Sequence, residues 1–282
     1  MNKVKFGPSG NSELFYQLGY KSSVEAPAWL RSLGLSAYEY SFGRGYNMSQ
    51  EKAIEIGREA SANEIEISVH APYYINFANE SEEMVEKSYN YVLTGLKMLR
   101  AMGGKHLVFH ASSQGKLSRE RALELTRERL KILAKKVYES GYSDMMLCPE
   151  TMGKPLQIGT FKEIVDLCTV DKIFVPTFDF GHIYSLSLGK FGSYEDYVEV
   201  FSYALEKLGE RARFCHIHFS QIEYGQKGEV RHLNFGNGKF GPAFEPMLKA
   251  ISDLGLFPTV ICESHSNMAT DALEMKQFFE KI

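Results

Sequence analysis

At 282 residues, 44% hydrophobic and 24% charged, the chain has a soluble globular balance and the length of one (β/α)8 barrel. Its formal charge of −3 argues against a general nucleic-acid coat protein, because phosphate binding rests on Lys and Arg, but a local basic groove stays open. No apolar run nears the roughly 20 residues that cross a bilayer, and the opening MNKVKFGPSG lacks a signal-peptide core, so a cytoplasmic protein away from membranes is expected.

In chain order, β-rich runs alternate with helical ones. Strands are expected at 4–9 (VKFGPS), 37–42 (AYEYSF), 66–71 (EISVHA), 106–110 (HLVFH), 145–151 (MMLCPET), 173–180 (IFVPTFDF), 213–220 (RFCHIHFS) and 258–264 (PTVICES). A helix is expected in SEEMVEKSYNYVLTGLKMLRAMGG, with Met84, Tyr91, Leu96 and Leu99 near helical spacing and glycines to stop it. A second follows Ser118 as N-cap, and SYEDYVEVFSYALEKLGE and ATDALEMKQFFEKI share the design. Such alternation implies parallel pairing, and eight units favour a closed TIM barrel, read as one domain over 1–282. Cys148, Cys168, Cys215 and Cys262 have no CxxC spacing, and three fall in expected strands, so they read as small hydrophobes and not as ligands.

A barrel of this kind keeps its chemistry at the C-terminal ends of its strands. There the third strand places His70, the fourth His110 and the fifth Glu150. The sixth gives Asp179 with His182 in the turn beyond, the seventh His216 and His218, and the eighth Glu263. One such residue alone is more often structural than a ligand. Several carboxylates buried together, however, need a cation to compensate them, and imidazoles beside them point to a divalent metal. Mixed imidazole and carboxylate suits zinc, with manganese or iron as alternatives, and the donors are too many for one tetrahedral ion. Two or three ions sharing a carboxylate would use them, the arrangement of two-metal phosphoryl hydrolases. Asp179 and His182, of opposite parity, would serve neighbouring ions.

The segments VHAPYYINF (69–77), VFH (108–110), PETMGKPLQIGT (149–160), FDFGH (178–182), HIHFS (216–220), RHLNFGNGKFG (231–241) and ICES (261–264) together resemble the endonuclease IV family of AP endonucleases, zinc-dependent DNA-repair barrels. The resemblance implies one zinc on His70, His110 and a bridging Glu150, and a second on Glu150, Asp179, His218 and Glu263. It implies a third on His182 and His232. Where the family has an aspartate two residues before that last histidine, this chain has Val230, with neighbouring Glu229 as the candidate substitute. His218, not His216, matches the ligand position, which leaves His216 as its supporting partner. Tyr73 matches a tyrosine that touches DNA, and Arg44 in FGRGY is a candidate for a phosphate or for the gap left by a missing base.

The implied activity is hydrolysis of the phosphodiester 5′ to an abasic site in double-stranded DNA by a monomer, with Glu150, Asp179 and Glu263 carrying catalysis. Two rivals stand beside it. One is a metal-dependent sugar isomerase or epimerase on the related xylose-isomerase-like barrel, working with one manganese. The other is a non-catalytic damage-binding protein on the same scaffold.

Overall fold

The computed structural model describes residues 3–282. Its central strands are β1 (Lys5–Pro8), β2 (Ala37–Ser41), β3 (Glu66–His70), β4 (His106–Phe109), β5 (Met146–Pro149), β6 (Thr177–Asp179), β7 (His216–Phe219) and β8 (Thr259–Cys262). β2, β3, β4 and β5 form one parallel sheet, and β6, β7, β8 and β1 form another. Isolated parallel bridges join the halves, Ser9 to Glu39 on one side, Leu147 to Phe174 and Glu150 to Thr177 on the other. The result is the expected TIM barrel.

Alternation along the strands decides what each layer contains. Ile67, Val69, Leu107, Leu147, Phe178, Ile217 and Val260 face the helices and are buried in the main apolar core. Ser68, His70, His106, Glu150, Asp179, His216 and His218 have the opposite parity and turn toward the barrel axis. The long helix Glu82–Ala101 packs on β3 and β4 through Val85, Tyr89, Val92, Leu96 and Leu99. The expected face needs correction here: Met84 is exposed and Tyr91 only partly buried, because the apolar stripe runs one residue later.

The sixth strand is also shorter than expected. Pro176 has no N–H to give a ladder, so only Thr177–Asp179 pairs continuously and Phe174 keeps a single bridge. Phe180 already belongs to the helix Phe180–Leu186, for which Asp179 is the N-cap. After β7 the chain makes a two-stranded antiparallel hairpin, Gln221–Gly225 with Gly228–Leu233, over the C-terminal mouth of the barrel.

Closure between β1 and β2 is tight. A Cβ on Gly7 would penetrate the carbonyl of Ala37 on β2, so only glycine lets the first strand approach there. We predict that Gly7→Ala destabilises the barrel by about 3 kcal/mol or more, a fall in Tm of roughly 6 °C at least. Thermal melts followed by circular dichroism check this.

Candidate metal centre

Glu150, at the end of β5, is 1% exposed and lies among imidazoles from three other strands. Its Oε2 is 3.0 Å from His70 Nε2 and 3.1 Å from His110 Nε2, and its Oε1 is 3.0 Å from His218 Nδ1. Burial alone would neutralise this carboxyl, but His218, His110 and His70 outweigh it and hold Glu150 well below the ordinary carboxylate range. Glu263 Oε2 approaches His218 Nδ1 to 3.6 Å from the far side. Asp179 is fully enclosed below. Its N–H donates to Thr151 Oγ1 at 2.8 Å, and its Oδ1 accepts from the His182 N–H at 2.7 Å. Its Oδ2 has no hydrogen-bond partner among the described residues, although His182 Nδ1 lies 3.3 Å away. That orphaned, buried oxygen, in a donor set of imidazoles and carboxylates, fits a bound cation.

Among the described residues, potential ligand atoms fall into three adjoining groups at the mouth, His70, His110 and Glu150; Glu150, Asp179, His218 and Glu263; His182, Glu229 and His232, with a fourth, Glu39, His216 and His218, deeper in the barrel. Within each group these atoms lie inside 4.8 Å of one another. The histidines are also oriented. His70 Nδ1 donates to the Ala71 carbonyl (2.8 Å) and His182 Nδ1 to the Thr151 carbonyl (2.9 Å), so Nε2 of each faces a carboxylate as the nitrogen that carries a second proton without metal and would give it up to bind one. His232 Nδ1 contacts Ser220 Oγ at 2.9 Å, with Nε2 toward Glu229. A second polar contact that fixes tautomer and ring angle is the habit of metal-binding histidine.

A bulge decides which hairpin residue faces the third group. Across the hairpin, Glu223 pairs with Arg231 and Tyr224 with Glu229, so Val230 is the extra residue between them. In a regular strand residues two apart share a face, and position 230 would face the site with His232. The bulge shifts the parity by one. Val230 turns outward, 60% exposed, while Glu229 reaches 3.4 Å from His182 Nε2 and 3.7 Å from His232 Nε2. Gly228, at φ 90°, lies so close to the Gly153 carbonyl that no Cβ fits, and the Glu229 N–H donates to that carbonyl, tying the hairpin to the loop after β5.

Above these groups opens a cavity of about 430 Å³, lined by His70, Tyr73, His110, Glu150, His182, Glu229, His232 and Glu263, with Lys154 and Gln157 at its side. Asp179 and His218 lie beneath its floor. Tyr73, 59% exposed, stands at the mouth with its ring 5.8 Å from His70 and 5.4 Å from His110. Arg44 is exposed in the turn beyond β2, next to Gly43, whose carbonyl accepts from the Tyr73 N–H, and is not among the cavity-lining residues. The expectation for His182 needs correction, since it occupies the first turn of the helix after β6 and not a loop. Sequence reading missed Glu39, buried in the middle of β2 and 2.9 Å from His218 Nε2. The available signal was parity, because AYEYS puts Glu39 on the barrel side with no solvent in reach.

Over residues 27–282 the sequence matches the family described as xylose isomerase-like TIM barrel, and the chain belongs to that family. An uncharacterized protein of Methanocaldococcus jannaschii is 36% identical over 236 residues, 83% of this chain and 84% of its own. A probable endonuclease 4 of Thermoplasma volcanium is 26% identical over 214 residues, 74% of this chain and 71% of its own. Among solved structures, endonuclease IV from Thermus thermophilus has a TM-score of 0.69 at 20% identity, covering 92% of this chain and 95% of its own. A D-psicose 3-epimerase has a TM-score of 0.68 at 13% identity, covering 99% of each. Both likenesses show the shared fold.

The cation-free electrostatics give a test. Burial opposes charge on His182, but Asp179, Glu150, Glu229 and Glu263 overcome it and raise the imidazole to about 9; His70 and His218 are raised by the same kind of surroundings. A histidine raised in the folded state contributes stability that is complete below its unfolded value near 6.5 and is lost as pH climbs through the folded one. In chelator, Tm should therefore fall between about pH 6.5 and 9, with His182 alone contributing on the order of 3 kcal/mol. A melting temperature flat across that window contradicts this electrostatic account.

Proposed function

We propose that the chain is a zinc-dependent phosphodiesterase that incises double-stranded DNA on the 5′ side of abasic sites. The carrying observation is the set of three adjoining donor groups, two of them sharing Glu150, with imidazoles turned toward the carboxylates by contacts on their other ring nitrogens. His70, His110 and Glu150 would hold one ion, Glu150, Asp179, His218 and Glu263 a second, and His182, Glu229 and His232 a third. Divalent ions bound there lower the pKa of water and stabilise charge on phosphoryl oxygens. A one-ion epimerase has no use for the third group, and the relatives named endonuclease 4 support the nuclease reading.

The residues divide the work by access. Glu150 is walled in by three imidazoles and serves as an anchor between two groups. Asp179, closed off beneath the floor and clamped by Thr151, orients from below. Glu263 keeps 18% of its side chain exposed and lines the cavity, which supports its carboxylate as the one that would take a proton from an attacking water. Lys154 offers a cation for a phosphate at the cavity wall, and Tyr73 presents an aromatic face at the mouth for a base or sugar of a distorted duplex.

Incubating the protein with a labelled duplex carrying one abasic analogue should give a single cut 5′ to the lesion, abolished by chelator and restored by zinc. Glu150→Gln and Asp179→Asn should each reduce the rate at least about 100-fold while retaining a cooperative melt. No incision, together with manganese-dependent interconversion of ketohexoses, would replace this reading with the epimerase one. Metal analysis tests the bulge: Glu229→Ala should lose about one zinc equivalent per chain and Val230→Ala none. Equal zinc content in both variants contradicts a role for Glu229.

A further inference from the structure

We infer that Glu39 is the positioning residue of this centre, holding His218 with Nε2 protonated so that Nδ1 is the nitrogen presented to the metal. The inference rests on the metal reading above and goes beyond it, to a carboxylate that lies outside the cavity. His218 is fully buried beneath the cavity floor, and its two nitrogens face different acids. Nδ1 is 3.0 Å from Glu150 Oε1 and 3.6 Å from Glu263 Oε2, on the side of the mouth. Nε2 is 2.9 Å from Glu39 Oε1, on the side of the barrel interior.

That approach is oblique to an ideal hydrogen bond, and neither atom has another hydrogen-bond partner among the described residues. Two fully buried polar atoms 2.9 Å apart are thus each other's nearest partners, in a group that also holds His216. Leaving either alone costs the full desolvation of the group.

Glu39 is itself held in place. Its Oε2 accepts from Ser68 Oγ at 2.9 Å and faces His216 Nε2 at 2.8 Å. Ser68 is the register partner of Glu39 across β2 and β3, and His216 stands two residues before His218 on the same face of β7. The HIH spacing acquires a meaning: one imidazole steadies the carboxylate, and the carboxylate steers the other imidazole. The other oriented histidines donate to or contact neutral groups, the Ala71 and Thr151 carbonyls and the Ser220 hydroxyl, although His182 Nδ1 also lies 3.3 Å from Asp179 Oδ2. His218 has the shorter carboxylate contact behind it, 2.9 Å, and a carboxylate is the partner that most raises the basicity of the opposite nitrogen.

The test uses the full chain, stripped of metal and titrated with zinc against a chromophoric chelator. Glu39→Gln keeps the side-chain shape and removes the charge. It should weaken one zinc equivalent about 10- to 100-fold and leave the others at parent affinity. Glu39→Asp should recover part of the loss. An independent readout comes from the zinc-loaded parent, with 15N-labelled histidine assigned through His218→Asn: the His218 Nε2 signal should be that of a protonated nitrogen and Nδ1 that of a metal-bound one. Parent affinity at every site in Glu39→Gln, or a metal-bound Nε2 in the parent, overturns the assignment while leaving the metal centre standing. If Glu39→Gln does not fold, the parent spectrum decides alone. A parent that takes up no zinc overturns the metal reading, and this assignment with it.

Discussion

Glu150 cannot be buried and ionised without help, and the rest of the site follows from that constraint. Taking a lone carboxylate out of water costs several kcal/mol, so a chain that encloses one must bring opposite charge to it or let it protonate. Here β3, β4 and β7 each bring an imidazole within about 3 Å, and the carboxyl stays ionised. The same crowding pushes Asp179 the other way. Burial, with Glu263 and Glu150 nearby, raises it to about 6 against the pull of His182. A cluster whose members push one another's protonation in opposite directions is poised to exchange protons for cations.

The barrel makes this possible because the two ends of each strand answer to different demands. Midway along the strands, side chains toward the helices are apolar and close-packed, which fixes the strand positions. At the C-terminal ends the same backbone places polar groups from distant parts of the chain against one another. The hairpin after β7 completes the mouth. Pinned to the loop after β5 through Gly228 and the Gly153 carbonyl, it brings Glu229 and His232 over His182.

Much of this was legible in the sequence. The eight strands follow from alternating apolar runs, and once a barrel is assumed the acids and imidazoles at their ends must converge, so His70, His110, Glu150, Asp179 and Glu263 could be read directly, whereas only the family resemblance separates His218 from His216. What escaped depends on pairing. Whether Glu229 or Val230 faces the site turns on one extra residue in a cross-strand register, which no local pattern in GEVRHL reveals. Glu39 escaped because attention to strand ends passes over a mid-strand acid, although its parity placed it inside. The role of Asp179 as a helix cap was written in the sequence as an aspartate three residues before His182, but the short sixth strand hid the helix start.

The central claim is that distant strands converge on bound cations. Diffraction from zinc-loaded crystals, recorded at the zinc absorption edge, tests it most directly. The account predicts three anomalous peaks, one within each donor group, the first two flanking Glu150. A map with no peak among His70, His110, Glu150, Asp179, His218 and Glu263 would contradict it.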